Sequence, residues 1–432
     1  MKMKILSPAG DMDSLRAAVY NGADEVYLGV KDFNARNIEG FSLATLEESV
    51  RFAHIFGVRV FLAVNILFSD DEMQSAVDLI VDAYNMGVDA FIIQDLGLAS
   101  IIHANYPMVE MHASTQMGIH NLEGVKVAQR LGFKRVVLSR ETALSEIRRI
   151  RENSDVEIEY FAHGALCVSF SGNCYLSSYM FDASGNRGKC KQLCRLPYSF
   201  MLDDEKIKEG YLLSAKDFCL IDRLQDLEEA GVTSLKIEGR ARRPYYVAVA
   251  TREYRKALEG KNTNKEELKL AFNRGYTEGY FNGNGGIISN KQNHIGIKIG
   301  EVVDFRSGKK FNEIFISSDR EISPKSVLKF FHEGEEMTTI SAFDIKEIKG
   351  GYKITTTQVV DIGYTVNLIS HYDREQSVLS VKRKVPINIL IKAKANEEIC
   401  ATFTIQEQEY RVLGEKCLES KSSPITHDEI VN

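Results

Sequence analysis

Residues 22–28 read GADEVYL: a glycine, a short polar joint, then an apolar run. The same joint recurs as GVRVFL (57–62), GVDAFI (87–92), GFKRVVL (132–138) and GVTSLKI (231–237). Each glycine follows an amphipathic stretch. Glycine ends a helix because it takes the left-handed cap conformation without a Cβ clash. The run after it is short and almost continuously apolar, as expected of a strand buried on both faces of a parallel sheet. Extending the pattern gives eight strands, near Lys4–Ser7, Glu25–Gly29, Arg59–Asn65, Ala90–Gln94, Val109–Ala113, Arg135–Ser139, Glu157–Phe161 and Ser234–Glu238. Helices are expected after polar caps, with Asp11 before Met12–Tyr20 and Ser69 before Asp70–Asn85. Eight β/α units in about 250 residues is the count and size of a (β/α)8 barrel. An open doubly wound sheet is the alternative, but no glycine-rich dinucleotide fingerprint follows the first strand. The expected class is therefore α/β, with a TIM-like barrel over residues 1–258.

The pattern changes downstream. Residues 259–294 are rich in Asn, Gly and Lys and read as an extended linker or flap. Residues 295–384 alternate apolar and polar between turn signals, which predicts a small all-β domain. Residues 385–432 begin another strand-rich segment that stops at THDEIVN (426–432), where a helix is expected to start. So short a segment makes a meagre core, and the chain is expected to be a fragment of something longer.

The 432 residues carry 44% apolar and 26% charged side chains, an ordinary composition for a soluble protein. The opening MKMKILSPAG has too short an apolar run for a signal peptide. No stretch approaches the ~20 apolar residues of a membrane helix. A cytoplasmic protein with no membrane partner is the default, and disulfides are uncommon there. The net charge of −6 means that nucleic-acid binding would need a local basic patch.

Of seven cysteines, four lie in one run: Cys167, Cys174, Cys190 and Cys194, spaced C-x(6)-C-x(15)-C-x(3)-C. The run starts at the carboxyl end of the seventh strand, inside an insertion at 163–219. Barrel active sites lie at that face. Gathered thiols bind a soft metal, hold an iron–sulfur cluster, form disulfides or do redox chemistry. Structural zinc prefers two tight C-x(2–4)-C knuckles, and here Cys190–Cys194 alone is tight. A 4Fe–4S cluster suits uneven spacing at least as well, with Cys219 able to replace one ligand.

Polar residues at the ends of the other strands would face the same mouth: Asn65, Gln94, Asp95, His112, Ser114, Gln116, Arg140, Glu141, His163, Glu238 and Arg240. His112 and His163 are the candidates for acid–base work, joined by Glu238 and Arg240. Arg187, Lys189, Lys191 and Arg195 surround the cysteines, and Lys236, Arg240, Arg242 and Arg243 follow the eighth strand. They offset cluster charge, hold a small anion or grip phosphates, or else form a solvated basic loop. Asn65, Arg140, Arg187, Arg195, Lys236 and Arg242 are the candidate substrate-binding residues. Tyr175, Tyr179, Phe181, Tyr245 and Tyr246 lie among these charges as candidate base-stacking rings. Protease signatures fail: HEGEE at His332 lacks the second histidine of H-E-x-x-H, and no G-x-S-x-G elbow occurs.

EYFAHGALCVSFSGNCYLS (159–177), LSPAG (6–10), NGADEVYLG (21–29), HASTQM (112–117), NRGKCKQLCR (186–195) and SLKIEGR (234–240) together resemble the collagenase-like U-32 peptidase family. The resemblance covers at least residues 4–280. The C-terminal β segments resemble the longer branch of that family, which makes 5-hydroxycytidine in 23S ribosomal RNA. Sister branches hydroxylate tRNA uridine to 5-hydroxyuridine or support oxygen-independent ubiquinone hydroxylation. The resemblance implies an RNA hydroxylase acting on rRNA or tRNA, with a 4Fe–4S cluster on Cys167, Cys174, Cys190 and Cys194. It also implies prephenate, a small anionic co-substrate, as hydroxyl donor. A collagenase-like peptidase and a non-catalytic RNA-binding factor with structural zinc are the rival expectations.

Overall fold

A computed structural model describes residues 3–31, 33–35, 40–283, 286–405 and 408–419. The barrel strands are β1 (Lys4–Pro8), β2 (Glu25–Leu28), β3 (Arg59–Val64), β4 (Ala90–Ile93), β5 (Met111–Ala113), β6 (Arg135–Val137) and β7 (Glu157–Ala165). An insertion then adds the hairpin β8 (Tyr198–Leu202) and β9 (Glu205–Gly210) and the strand β10 (Asp217–Cys219), before β11 (Ser234–Ile237) supplies the eighth barrel strand. Neighbouring strands β1 to β7 pair in sequence order, and β11 pairs in parallel with both β1 and β7, so the sheet closes. The structure is the (β/α)8 barrel expected.

The helices are α1 (Met12–Tyr20), α2 (Leu43–Ile55), α3 (Met73–Asn85), α4 (Leu96–Asn105), α5 (Leu122–Arg130), α6 (Leu144–Glu152), α7 (Leu176–Phe181), α8 (Leu224–Glu229) and α9 (Pro244–Leu258). Asp11 caps α1 by accepting from the Ser14 amide at 2.7 Å. Helix α3 starts at Met73 rather than at Asp70. Ser69 donates both its amide and its hydroxyl to Glu72, which ties 69–72 into a turn ahead of the helix. Glycine joints behave as read: Gly22, Gly57, Gly87, Gly132 and Gly231 all have positive φ.

Strand β7 runs four residues past the expected end at Phe161. Gly164, at φ +111°, sits where β7 leaves the barrel and pairs antiparallel with β10, Cys219 opposite His163. Residues 259–294, expected as an extended linker or flap, carry α10 (Lys265–Ala271) and β12 (Tyr276–Thr277), which pairs with β10. Phe281 is fully buried there, and Arg274 pairs with Asp217 at 2.6 Å.

The all-β region is a seven-stranded antiparallel sheet of β13 (Ile297–Arg306), β14 (Asn312–Ser317), β15 (Ser326–His332), β16 (Glu335–Ala342), β17 (Asp344–Ile348), β18 (Gly351–Thr356) and β19 (Thr365–Ser370). Ile299, Val302, Ile314, Leu328, Phe330, Ile354 and Val366 fill its core. Helix α11 (Tyr372–Leu379) follows. A separate compact unit begins at Arg383 and holds the three-stranded antiparallel sheet of β20 (Asn388–Lys392), β21 (Glu398–Ile405) and β22 (Gln408–Lys416). The helix expected at 426–432 lies outside the described residues.

The acid side of the stability profile follows from two buried groups. Burial works against the Glu25 carboxylate, but Arg135 outweighs it and holds the pKa at about 2. Burial keeps His163 low, at about 4. His163 is neutral when folded and charges when unfolded, so its share of stability is lost as pH falls from about 6.5 towards its folded value. Glu25 contributes fully above about 4.3, and that share disappears as pH falls towards its folded value. Thermal melts followed by circular dichroism should be level near neutrality and decline in two stages on acidification. A midpoint that rises below about pH 6 contradicts this assignment.

Candidate active site

A cavity of about 490 Å³ opens at the carboxyl end of the barrel strands, within the usual range for small-molecule sites. All four clustered cysteines line it. They come from separate turns of the insertion, and none is in a disulfide. Asn65, Ser114, Gln116, Arg140, Lys236, Glu238 and Arg240 line it too, as expected of strand-end residues, and Tyr27, Ile92 and Phe161 form apolar wall.

The cysteine loop is pinned at three places. Arg187 grips Glu72 with both nitrogens, at 2.6 and 2.9 Å, and donates to the Leu67 carbonyl at 2.7 Å. Glu141 accepts from the Ser171 amide and hydroxyl, both at 3.1 Å. Arg195 donates to the Ser214 hydroxyl and to the Ala215 and Leu166 carbonyls. Gly172 lets the loop touch the β5–α5 connection. Its φ is +77°, and a Cβ there would fall 2.0 Å from the Gln116 carbonyl oxygen.

The electrostatics of the cavity are mixed but organised. Arg140 stacks on Phe161 at 3.7 Å and donates to Glu238 at 3.0 Å. Burial raises the Cys167 thiol, against the pull of Arg140, and burial raises Cys194 against the pull of Arg195. The Gln192 amide donates to Cys190 Sγ at 3.4 Å. Lys236 forms part of the floor, its Nζ 2.6 Å from Glu159.

Several expected residues lie elsewhere. His112 turns inward one layer below the cavity, where its ring meets Phe61 at 4.7 Å and Nε2 meets Glu110 at 2.8 Å. His163 sits on the overrunning end of β7, packed among Tyr246, Tyr254 and Tyr276. Neither histidine lines the cavity, so the expected convergence with the cysteines is corrected for both. Cys219 faces Tyr254, with Sγ 3.9 Å from its hydroxyl, and is absent from the cavity wall. Arg187 and Arg195 are committed to the tethers above, and Arg242 stacks on Phe272 at 3.4 Å; none of the three lines the cavity. Tyr245 and Tyr246 are buried, so they offer no stacking face. Tyr175, Tyr179 and Phe181 are exposed, Tyr179 by 87%. Lys189 and Lys191 line a second depression together with Phe181, while Tyr175 lines the main cavity.

Sequence reasoning missed Glu25, Arg135 and Glu159, charged residues at inward strand positions that form buried ion pairs beneath the cavity. Their signal was present: a charge inside a run otherwise reading as a strand buried on both faces.

The sequence pattern of peptidase family U32 matches residues 10–291. The chain belongs to that family. Among U32 relatives, the 23S rRNA 5-hydroxycytidine C2501 synthase of Escherichia coli is 40% identical over 322 residues, covering 70% of this chain and 49% of that protein. This chain thus spans about half the length of that U32 relative. The tRNA hydroxylation protein P1 of Bacillus subtilis is 33% identical over 304 residues, covering 66% of this chain and 72% of that protein. A collagenase of Porphyromonas gingivalis is 36% identical over 307 residues, covering 65% and 73%. No helix among the described residues of this U32 chain is long and apolar enough to cross a membrane.

Proposed function

We propose that this chain carries the catalytic barrel of a cytoplasmic RNA hydroxylase that acts at C5 of a pyrimidine, foremost a cytidine of 23S rRNA, using a 4Fe–4S cluster. One observation carries the reading: four thiols from distant turns line a single cavity with Arg140, Lys236 and Glu238. The 40% identity to an rRNA 5-hydroxycytidine synthase supports the choice of substrate.

The donor set fits the cluster. Cys167, Cys174, Cys190 and Cys194 would hold it, with Arg140 and Arg195 offsetting its charge and the Gln192 amide donating to sulfur. Among the described residues, no three His, Cys, Asp or Glu side chains converge as ligands of one metal ion. Thiolates around a single zinc, with Zn–S about 2.3 Å, must crowd together, whereas one thiolate per iron spreads them. The uneven spacing of the four cysteines, with Cys190–Cys194 alone tight, favours the cluster over zinc. When bound, the cluster supplies electron-transfer chemistry beside the substrate.

The remaining residues bind and orient. A pyrimidine must leave its stack to reach the cavity. Tyr175, Tyr179 and Phe181 offer exposed rings on which flanking bases stack, and Lys189 and Lys191 meet phosphates. Asn65, Ser114 and Gln116 present polar groups to the base edge. The cavity cations suit prephenate as hydroxyl donor, since its two carboxylates need positive partners. A tRNA uridine is the alternative substrate, on the likeness to the Bacillus subtilis protein. The peptidase reading is disfavoured because, among the described residues, no histidine lines the cavity to activate a thiol.

The test is mass spectrometry of digested rRNA and tRNA from a strain deleted for the full-length gene. One pyrimidine lighter by one oxygen is expected. Every RNA oxygenation intact refutes the proposal.

A further inference from the structure

Barrel interiors of this kind are ordinarily packed with branched apolar side chains. Here an ionic ladder occupies the centre. Glu25 bonds Arg135 at 2.7 and 2.9 Å, Arg135 bonds Glu159 at 3.2 Å, and Glu159 bonds Lys236 Nζ at 2.6 Å. Glu25, Arg135 and Glu159 are fully buried. Of the four, Lys236 lines the cavity. Carboxylates and cations alternate along the ladder, Arg135 also bonds the partly exposed Glu157, and the ladder ends on a lysine that lines the cavity.

Stability does not account for it. Taking such charges out of water costs about as much as their mutual attraction returns, and well-packed apolar replacements are often neutral or better. Breaking one member is costly, which makes the ladder rigid rather than stabilising. Its place behind a lysine that lines the cavity gives it a use.

The groups around Lys236 come from three strands. Glu159 and the Phe161 ring stand on β7, the latter 5.7 Å away. The Tyr27 ring on β2 is 4.5 Å away. Glu238 and Arg240 follow β11 and act in opposite senses. Burial would discharge the amine, and Glu159 is the main group opposing it. Arg135 fixes the Glu159 carboxylate from behind.

We propose that Glu159 is a positioning residue that holds the Lys236 ammonium aimed into the cavity, where Lys236 fixes a carboxylate of the small anionic co-substrate. This rests on the reading of the cavity as a site for a carboxylate-bearing hydroxyl donor. Arg140, bonded to Glu238, and Arg240 line the same cavity and add positive charge for the second carboxylate.

The experiment is isothermal titration of prephenate into the anaerobically prepared chain over a range of pH, for wild type, Glu159→Gln, Lys236→Arg and Lys236→Met. Wild-type affinity should fall at alkaline pH as the amine loses its proton. In Glu159→Gln that fall should move down by about one pH unit or more, the usual effect of removing a close opposite charge. Lys236→Arg should bind without the alkaline fall. Lys236→Met should lose about tenfold or more, as expected for a charge-assisted contact. The two Lys236 variants leave Glu159 paired with Arg135, so the proposal can still be overturned at the lysine even if Glu159→Gln does not fold. Wild-type affinity in Lys236→Met overturns this proposal alone. An unshifted pH profile in Glu159→Gln, with a lowered melting temperature, makes Glu159 structural and also overturns it. A wild-type chain that binds no prephenate overturns the donor reading and the proposal together.

Discussion

Serine in place of Cys167, Cys174, Cys190 or Cys194, one at a time, is expected to strip iron and acid-labile sulfide from the anaerobically purified protein while the barrel still folds. The four thiols lie in an insertion outside the barrel core, so losing a ligand leaves the apolar packing of the strands and helices intact. The wild-type chain should carry about four irons and four sulfides. Cys219→Ser serves as the control and should keep them all, because Cys219 faces Tyr254 rather than the cavity. Full iron in Cys194→Ser would remove it from the ligand set. Stoichiometric zinc in an anaerobic wild-type sample would overturn the cluster assignment altogether.

Arg135→Ala is expected to be the most damaging single change in the barrel. Arg135 bonds Glu25, Glu157 and Glu159, and two of these carboxylates are fully buried. Removing the guanidinium takes from Glu25 its closest partner and leaves Glu159 with Lys236, which costs about 3–5 kcal/mol for a broken buried pair. It also opens a cavity beside Phe61, whose ring lies 5.2 Å from the guanidinium carbon. Urea unfolding should show the loss as a lowered midpoint. Adding Glu25→Gln to Arg135→Met should recover much of it, since Glu159 keeps Lys236 as its partner and no buried carboxylate is then stranded. A midpoint for Arg135→Ala close to wild type would show that water already reaches the ladder.

The barrel was legible because its signals are local. A glycine with positive φ and a short apolar run are read within seven residues, and the structure places a strand after each of the five joints. The site was legible only where a strand ends as it reads. Asn65, Arg140 and Glu238 follow strands that stop on schedule, and they face the cavity. His163 follows one that does not, because Gly164 lets β7 bend away and pair with β10. His112 belongs to a three-residue strand whose alternation turns it into the interior. The fate of Arg187 hung on Glu72, more than a hundred residues away, and that of Arg195 on carbonyls across the insertion. Such partners are tertiary facts with no local trace. The ladder is a different case: its charges stand within strand runs and are legible there, but which of them pair is a tertiary fact.

The most direct test of the central claim returns the gene to a deletion strain as full-length wild type or as Cys174→Ser, and weighs the affected pyrimidine in 23S rRNA. Wild type should restore the missing oxygen and Cys174→Ser should not, with both proteins present at equal levels. Restoration by Cys174→Ser would contradict a hydroxylase that works through a cluster on these four cysteines.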